Sequence, residues 1–346
     1  MPLSGVSLLD TKHLSHQDLQ LIFSRSDLIR EPLLASHKLQ AWESTTPRRP
    51  VVCCLFFEPS TRTRMSFQMA AYRLGLEVLT MELSAGSSLS KGETYADTVL
   101  NFAAMKPDLM VVRYGVSPEL DGLLPKLGLP VINAGSGTMA HPTQGLLDAY
   151  TLLREWGSLQ DRRILIFGDV AHSRVAQSNF DLLVRLGAKV GICSPPMYRP
   201  SELPTGVTEQ FDDLDEGLEW AEAVMGLRIQ LERHDSAAQR EFAAHEYHLN
   251  WGLSVDRLKR LRSDAVILHP GPINHGVEFA PEVMQDRRCR VLEQVTNGVV
   301  VRAALLSLLL RLELVSDLTP KSKPESLENS DSQGLDISKG QRSGRA

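Results

Sequence analysis

Cysteine is scarce in this chain: four residues in 346, at Cys53, Cys54, Cys193 and Cys289, with no CxxC pair. That argues against a disulfide framework and against a zinc site. Cys53 and Cys54 stand side by side in the apolar run VVCCLFF (51–57), so on a strand they point to opposite faces and read as buried thiols. Positive charge is not in excess either, with 37 basic residues against 42 acidic and a formal net charge of -5. No basic stripe is interleaved with aromatics, so a nucleic-acid partner is not expected. A mildly acidic chain can still hold a strongly cationic pocket. No uninterrupted apolar run reaches membrane-spanning length, and the start, MPLSGVSLLDTKHLS, lacks the charged and apolar segments of a signal peptide. The expectation is a cytoplasmic protein with no membrane partner.

What is present is a βαβα rhythm. Apolar strands are expected at 51–57, 77–83, 108–114 and 130–134, with helices at 63–75 and 93–105 between them. A helix starts at about Pro142, where proline suits the first turn. The pattern then restarts with strands at 162–169, 188–194, 221–228 and 264–270 and a helix over 173–187. A late apolar helix is expected over 297–314; its leucines cover more than one face, which implies burial. The length favours two domains. The fold class is therefore α/β: two Rossmann-like domains with parallel sheets, joined by interdomain helices. The division expected is 1–142 plus 297–314 for one domain and 143–296 for the other. Residues 315–346, rich in Ser, Lys, Asp, Glu, Gly and Pro, read as a disordered tail.

The strongest local signal is FFEPSTRTR (56–64), where an apolar strand ends in Glu-Pro and Ser60, Thr61, Arg62 and Thr63 open a helix. Backbone N–H groups and the macrodipole at a helix start attract anions, and hydroxyls with a guanidinium add donors for phosphate oxygens. A plain N-cap is the competing account of Ser60 or Thr61, but a cap needs no arginine on each side of a threonine. Arg113 lies at the C-terminal end of the strand DLMVV, where parallel sheets bind ligands.

On these residues the chain resembles the aspartate/ornithine carbamoyltransferase family, whose carbamoyl-phosphate motif is similar to FFEPSTRTR. The resemblance runs over about residues 5 to 314. It implies that Ser60, Thr61, Arg62 and Thr63 bind the phosphate of carbamoyl phosphate, and that Arg113 reaches both phosphate and carbonyl oxygen. SSLSKGETYADT (87–98) resembles the family loop that enters the neighbouring subunit's site, with Lys91 and Ser88 matching its contact residues and Ser87 as the alternative to Ser88. His141 and Gln144, in HPTQ, match the residues that meet the carbonyl oxygen and the carbamoyl amide. Donors on that oxygen lower the barrier to attack by an amine.

For the second substrate the resemblance points to Arg174, in GDVAHSR, and to Arg228 and Gln230, in LRIQLER, with Lys91 also on this side. Two carboxylates on aspartate suit two guanidinium forks. Gly271 and Pro272, in HPGPINHGVE, match a loop offering backbone carbonyls. The ornithine-type stretches, His-Cys-Leu-Pro and Ser-Met-Gly, are absent, and Pro270 stands at the Cys position. The implied reaction is transfer of the carbamoyl group of carbamoyl phosphate to the α-amine of L-aspartate, as in pyrimidine biosynthesis. Neither metal nor organic cofactor is implied. The implied assembly is a homotrimer with shared active sites; a regulatory chain or a dihydroorotase-like partner stays open. Two alternatives stand beside it: a carbamoyltransferase for another amino acid such as ornithine, and a catalytically silent scaffold. GDVAHSR lacks the GxGxxG spacing of a dinucleotide site, and the i, i+3 pair His245 and His248 has no further ligand cluster.

Overall fold

The computed structural model describes residues 7–35, 42–43, 48–82, 92–137, 139–229 and 237–314. Ser87, Ser88, Lys91, Gln230 and the tail 315–346 lie outside the described residues. In chain order the elements are α1 (His16–Ala35), β1 (Trp42–Glu43), β2 (Val51–Phe56), α2 (Thr61–Arg73), β3 (Glu77–Glu82), α3 (Tyr95–Ala104), β4 (Leu109–Tyr114), α4 (Pro118–Leu123), β5 (Val131–Ser136) and α5 (Pro142–Trp156). They continue with β6 (Arg163–Phe167), α6 (Arg174–Arg185), β7 (Lys189–Cys193), β8 (Val207–Phe211), α7 (Leu214–Trp220), β9 (Ala223–Gly226), α8 (Ala237–Trp251), α9 (Val255–Arg260), β10 (Val266–Leu268), α10 (Val291–Leu309) and β11 (Glu313–Leu314).

Two parallel sheets result, in the orders β3-β2-β4-β5 and β10-β9-β6-β7-β8. In each, the chain starts in the interior and winds first to one edge and then to the other. The direction reverses between β2 and β4 in the first sheet and between β6 and β9 in the second. At such a switch point the loops beyond the strand ends diverge and leave a crevice for ligands. β2 and β4 are apolar on both faces because helices cover both, and so Cys53 and Cys54 are each buried, one on each side. Burial pushes the Cys54 thiol up to about 12, and it stays protonated.

The late helix begins six residues earlier and ends five earlier than the sequence reading placed it, at 291–309 rather than 297–314. Its opening stretch, VLEQVT, carries three polar residues that mask the apolar pattern, and its end is set by a short antiparallel pairing of β11 with β1. α10 packs against α1, α2 and α5, and its apolar residues join those of α5 and α6 in one core that reaches both sheets. It is the helix among the described residues that is long and apolar enough to cross a bilayer, and 72% of that stretch is buried inside the protein. Burying Leu305, Leu306, Leu308 and Leu309 in this way contributes about 1.5–3 kcal/mol for each. β8 was not expected: Thr208, Glu209 and Gln210 are exposed on an edge strand, where one side needs no apolar residues.

Candidate active site

Both switch points open on one cleft of about 900 Å³ between the two sheets. Ser60, Thr61, Arg62, Thr63, Arg113, His141, Gln144, Arg174, Arg228, Gly271 and Pro272 all line it. Every sequence-expected site residue that the structure describes is therefore gathered in one place.

Ser60 holds the N-cap position of α2 yet makes no side-chain capping bond, so its hydroxyl is left to the cleft together with the amides of the first turn. Arg113 is brought to the same point by an irregularity in the β4–β5 register between Val112 and Tyr114. Its Nη1 donates to the Ala134 carbonyl at 3.1 Å, and its Nε lies 3.8 Å from Glu58 Oε2. Gly135 must be glycine here: its φ is +126°, and a Cβ would stand 2.8 Å from Arg113 Nη1. Burial, with Arg174 and Arg62 nearby, lowers the Arg113 guanidinium to about 10 against the pull of Glu58, and it remains cationic at neutral pH.

His141 caps the start of α5, and its backbone N–H donates to Ser178 Oγ of α6 at 2.9 Å. Its ring is buried, and Nδ1 has no hydrogen-bond partner within the protein. Burial first, then Arg113, Arg302 and Arg174, hold the imidazole well below its usual pKa. A neutral imidazole can give one hydrogen bond to a developing oxyanion but is a poor source of a proton.

On the other wall, Ser173 caps α6 and places Arg174 at its first position; Nη1 of Arg174 donates to the Gly137 carbonyl at 2.8 Å and to Glu58 Oε2 at 3.3 Å. Arg228 follows β9. The Ile229 N–H beside it donates to buried Glu278 at 2.7 Å, and the same carboxylate holds the Asn274 N–H at 2.7 Å. Glu278 thereby joins the segment carrying Arg228 to the loop carrying Gly271 and Pro272. Gly271 has a φ of +68°, and a Cβ there would lie 3.3 Å from Arg62 Nε, which brings the two halves of the site into contact.

Some lining residues escaped the sequence reading. Glu58 bridges Arg113 and Arg174, and its signal was its place inside FFEPSTRTR. Arg302 is buried in α10 and donates to Ser66 Oγ at 2.8 Å and Thr143 Oγ1 at 3.2 Å, steadying the first turns of α2 and α5. A lone arginine within the apolar run NGVVVRAALL was the cue. His269 Nδ1 accepts from the Gly271 N–H at 2.9 Å, and burial with Arg62 nearby pulls the ring down to about 3. Among the described residues lining the cleft, five arginines face two carboxylates, Glu58 and Asp169. The cleft is built for polyanions. Among the described residues no group of three or more metal-ligating side chains occurs. His248 Nδ1 lies 3.0 Å from the Val277 carbonyl, as a packed helix face requires.

Comparison with known proteins bears on what those anions are. Residues 7–154 match the family described as aspartate/ornithine carbamoyltransferase, carbamoyl-P binding domain, and residues 160–309 match its Asp/Orn binding domain. The chain is 45% identical over 306 residues to the aspartate carbamoyltransferase catalytic subunit of Maricaulis maris (strain MCS10), covering 87% of this chain and 92% of that one. It is 49% identical over 259 residues to that of Myxococcus xanthus (strain DK1622), covering 75% and 86%. Among solved structures it is similar to aspartate transcarbamoylase from Trypanosoma cruzi in complex with N-(phosphonacetyl)-L-aspartic acid, with a TM-score of 0.77, 27% identity and coverage of 89% and 97%. The same protein in complex with carbamoyl aspartate and phosphate gives a TM-score of 0.75 at 25% identity, again over 89% and 97%.

Proposed function

Because the chain belongs to the aspartate/ornithine carbamoyltransferase family, we propose that it transfers the carbamoyl group of carbamoyl phosphate to the α-amine of L-aspartate, giving N-carbamoyl-L-aspartate and phosphate. The observation that carries this reading is the convergence of two arginine-bearing switch points on one cleft. One point suits a phosphate, with hydroxyls and helix amides around Arg62. The other suits two carboxylates, with Arg174 and Arg228.

In this proposal the first switch point holds carbamoyl phosphate through Ser60, Thr61, Arg62, Thr63, Arg113, His141 and Gln144. Lys91 and Ser88 are added from the loop outside the described residues. Arg174 takes the α-carboxylate of aspartate and Arg228 the β-carboxylate, with Gln230 assisting; Gly271 and Pro272 offer carbonyl oxygens to the nitrogens. The α-amine attacks the carbonyl carbon and charge moves to the carbonyl oxygen. Arg113 and neutral His141 donate to it, and the phosphate departs into the cationic pocket. Donors fixed in place before the reaction need no reorganisation, and removing one such donor costs about 10²–10³ in rate. Glu58 competes for Arg113 and Arg174 until the substrates' own anions replace it.

The domain division proposed is 1–142 with 297–314 for carbamoyl phosphate and 143–296 for aspartate. We place the protein in the cytoplasm as a homotrimer with shared sites. Exposed Met65, Met69 and Tyr72 on α2 and Leu79 and Met81 on the edge strand β3 support self-association. The test is product formation from carbamoyl phosphate with L-aspartate and, separately, with L-ornithine. Carbamoyl aspartate should form and be suppressed by N-(phosphonacetyl)-L-aspartic acid. Turnover with ornithine alone would transfer the reading to that amino acid, and no turnover with either would leave a binding scaffold.

A further inference from the structure

Behind the cleft, Asp148 on α5 is fully buried and accepts three side-chain amides from three helices. Its Oδ1 accepts from Gln144 Nε2 at 2.9 Å, on its own helix, and from Gln294 Nε2 of α10 at 2.8 Å; its Oδ2 accepts from Asn179 Nδ2 of α6 at 2.9 Å. Burial pushes this carboxyl up to about 6 against the pull of the three amides and Arg302, so it is ionised at neutral pH.

An ionised carboxylate only accepts hydrogen bonds, so each amide must turn its NH2 towards it and its oxygen away. Asn179 follows this rule even though its own Oδ1 is then left without a partner. For Gln294 the outward oxygen receives the His269 N–H at 2.9 Å, at the root of the loop bearing Gly271 and Pro272. For Gln144, a lining residue of the cleft, the outward oxygen is left to whatever the cleft holds.

We propose that Asp148 is a positioning residue: it fixes Gln144 with its acceptor oxygen towards the substrate, and so makes the cleft select a carbamoyl donor over an acyl donor. This rests on the functional reading above. A carbamoyl group carries N–H donors beside its carbonyl, and an acceptor held against them is satisfied. A methyl in the same place leaves that acceptor desolvated and unpaired. His141 and Arg113 supply donors on the oxygen side, and Asp148 keeps Gln144 from supplying a third on the nitrogen side.

The experiment measures binding of carbamoyl phosphate and of acetyl phosphate to the full chain by calorimetry, without aspartate. The wild type should prefer carbamoyl phosphate, and Asp148→Ala should cut that preference by roughly tenfold. Gln144→Met should lose as much, and the double variant should lose no more than either single one. Removing Asp148 strands three buried amides and can unfold the chain, so Gln144→Glu is the second variant. While its carboxyl keeps its proton it donates to Asp148 and holds its other oxygen towards the ligand; once ionised it is repelled by Asp148 and that oxygen is no longer held in place. Arg302 is the other charge bearing on Asp148, and His141 is held neutral, so the carboxyl pair alone titrates. Carbamoyl preference in Gln144→Glu should therefore fall as pH rises above neutral, where the wild type, its Asp148 already ionised, stays flat. Equal weakening of both ligands in Asp148→Ala, additive losses in the double variant, or a flat Gln144→Glu profile would each overturn the proposal alone. A wild type that binds neither phosphate would overturn the functional reading and this proposal with it.

Discussion

At the scale of single residues, charge and burial decide what each group can do. In the proposed reaction Arg228 meets the second carboxylate of aspartate. Arg228→Ala would leave that carboxylate desolvated without its cation, a loss of about 3–5 kcal/mol. The KM for aspartate should rise at least a hundredfold while carbamoyl phosphate binds as before, which initial rates and calorimetry will show; equal loss for both ligands would remove Arg228 from this role. His269 illustrates linkage. Its folded pKa, about 3, lies below its unfolded value, so the native state excludes a proton that the unfolded chain takes up. Its contribution to stability is fully present above about pH 6.5 and is lost as pH falls towards the folded value. Asp148 works in the opposite sense, because its raised pKa favours folding as pH falls through about 6. A whole-protein profile mixes the two, and a difference isolates one. The stability of wild type relative to His269→Gln, from urea unfolding, should drop by about 1.4 kcal/mol per pH unit below about pH 6. A pH-independent difference would mean that the ring is protonated in the native state.

Secondary-structure elements act here as carriers of the site. α10 holds Arg302 against Ser66 of α2 and Thr143 of α5, and Gly298, one turn earlier, makes the room: a Cβ there would fall 2.6 Å from Arg302 Nη1 and 3.1 Å from Leu147 Cδ2. Gly298→Ala should cost about 1–3 kcal/mol of stability through overpacking. It should also weaken carbamoyl phosphate binding more than it raises the KM for aspartate, since Ser66 and Thr143 lie near the starts of α2 and α5, beside the residues proposed to hold carbamoyl phosphate. A uniform effect on both substrates would mean that Arg302 does not act through these turns. Elements also show where pattern reading succeeds. Apolar strands with loops at both ends, β2 and β4, were evident, whereas β8 was hidden because edge strands tolerate polar side chains. The start of α10 was hidden because Glu293, Gln294 and Thr296 interrupt its apolar pattern, although Gln294 is buried by its bonds to Asp148 and the His269 N–H.

The whole molecule raises the question of how many chains complete one site. Arg62 lines the cleft, and the proposed homotrimer would supply Lys91 from a neighbour. Arg62→Ala and Lys91→Ala should each be nearly inactive alone. Unfolded, mixed and refolded together they should regain activity, because some interfaces then pair an intact Arg62 with an intact Lys91. Mass spectrometry that finds mixed trimers without recovered activity would place Lys91 in its own chain's site.

The sequence by itself determined the class of fold, because a strand buried on both faces must be apolar throughout and a helix start that binds anions must carry hydroxyls and amides in one turn. FFEPSTRTR, HPTQ and HPGP could be read because their chemistry lies within a few consecutive residues. Only the tertiary structure decided which side chains share a carboxylate. Asp148, Gln294 and Asn179 are far apart along the chain, each is an ordinary polar residue in its own helix, and nothing local distinguishes them. Their meeting depends on how α5, α6 and α10 cross. Burial at that crossing leaves the Asp148 carboxylate no water to accept from, so three amides satisfy it, and burial is a property of the packed chain rather than of any segment of it.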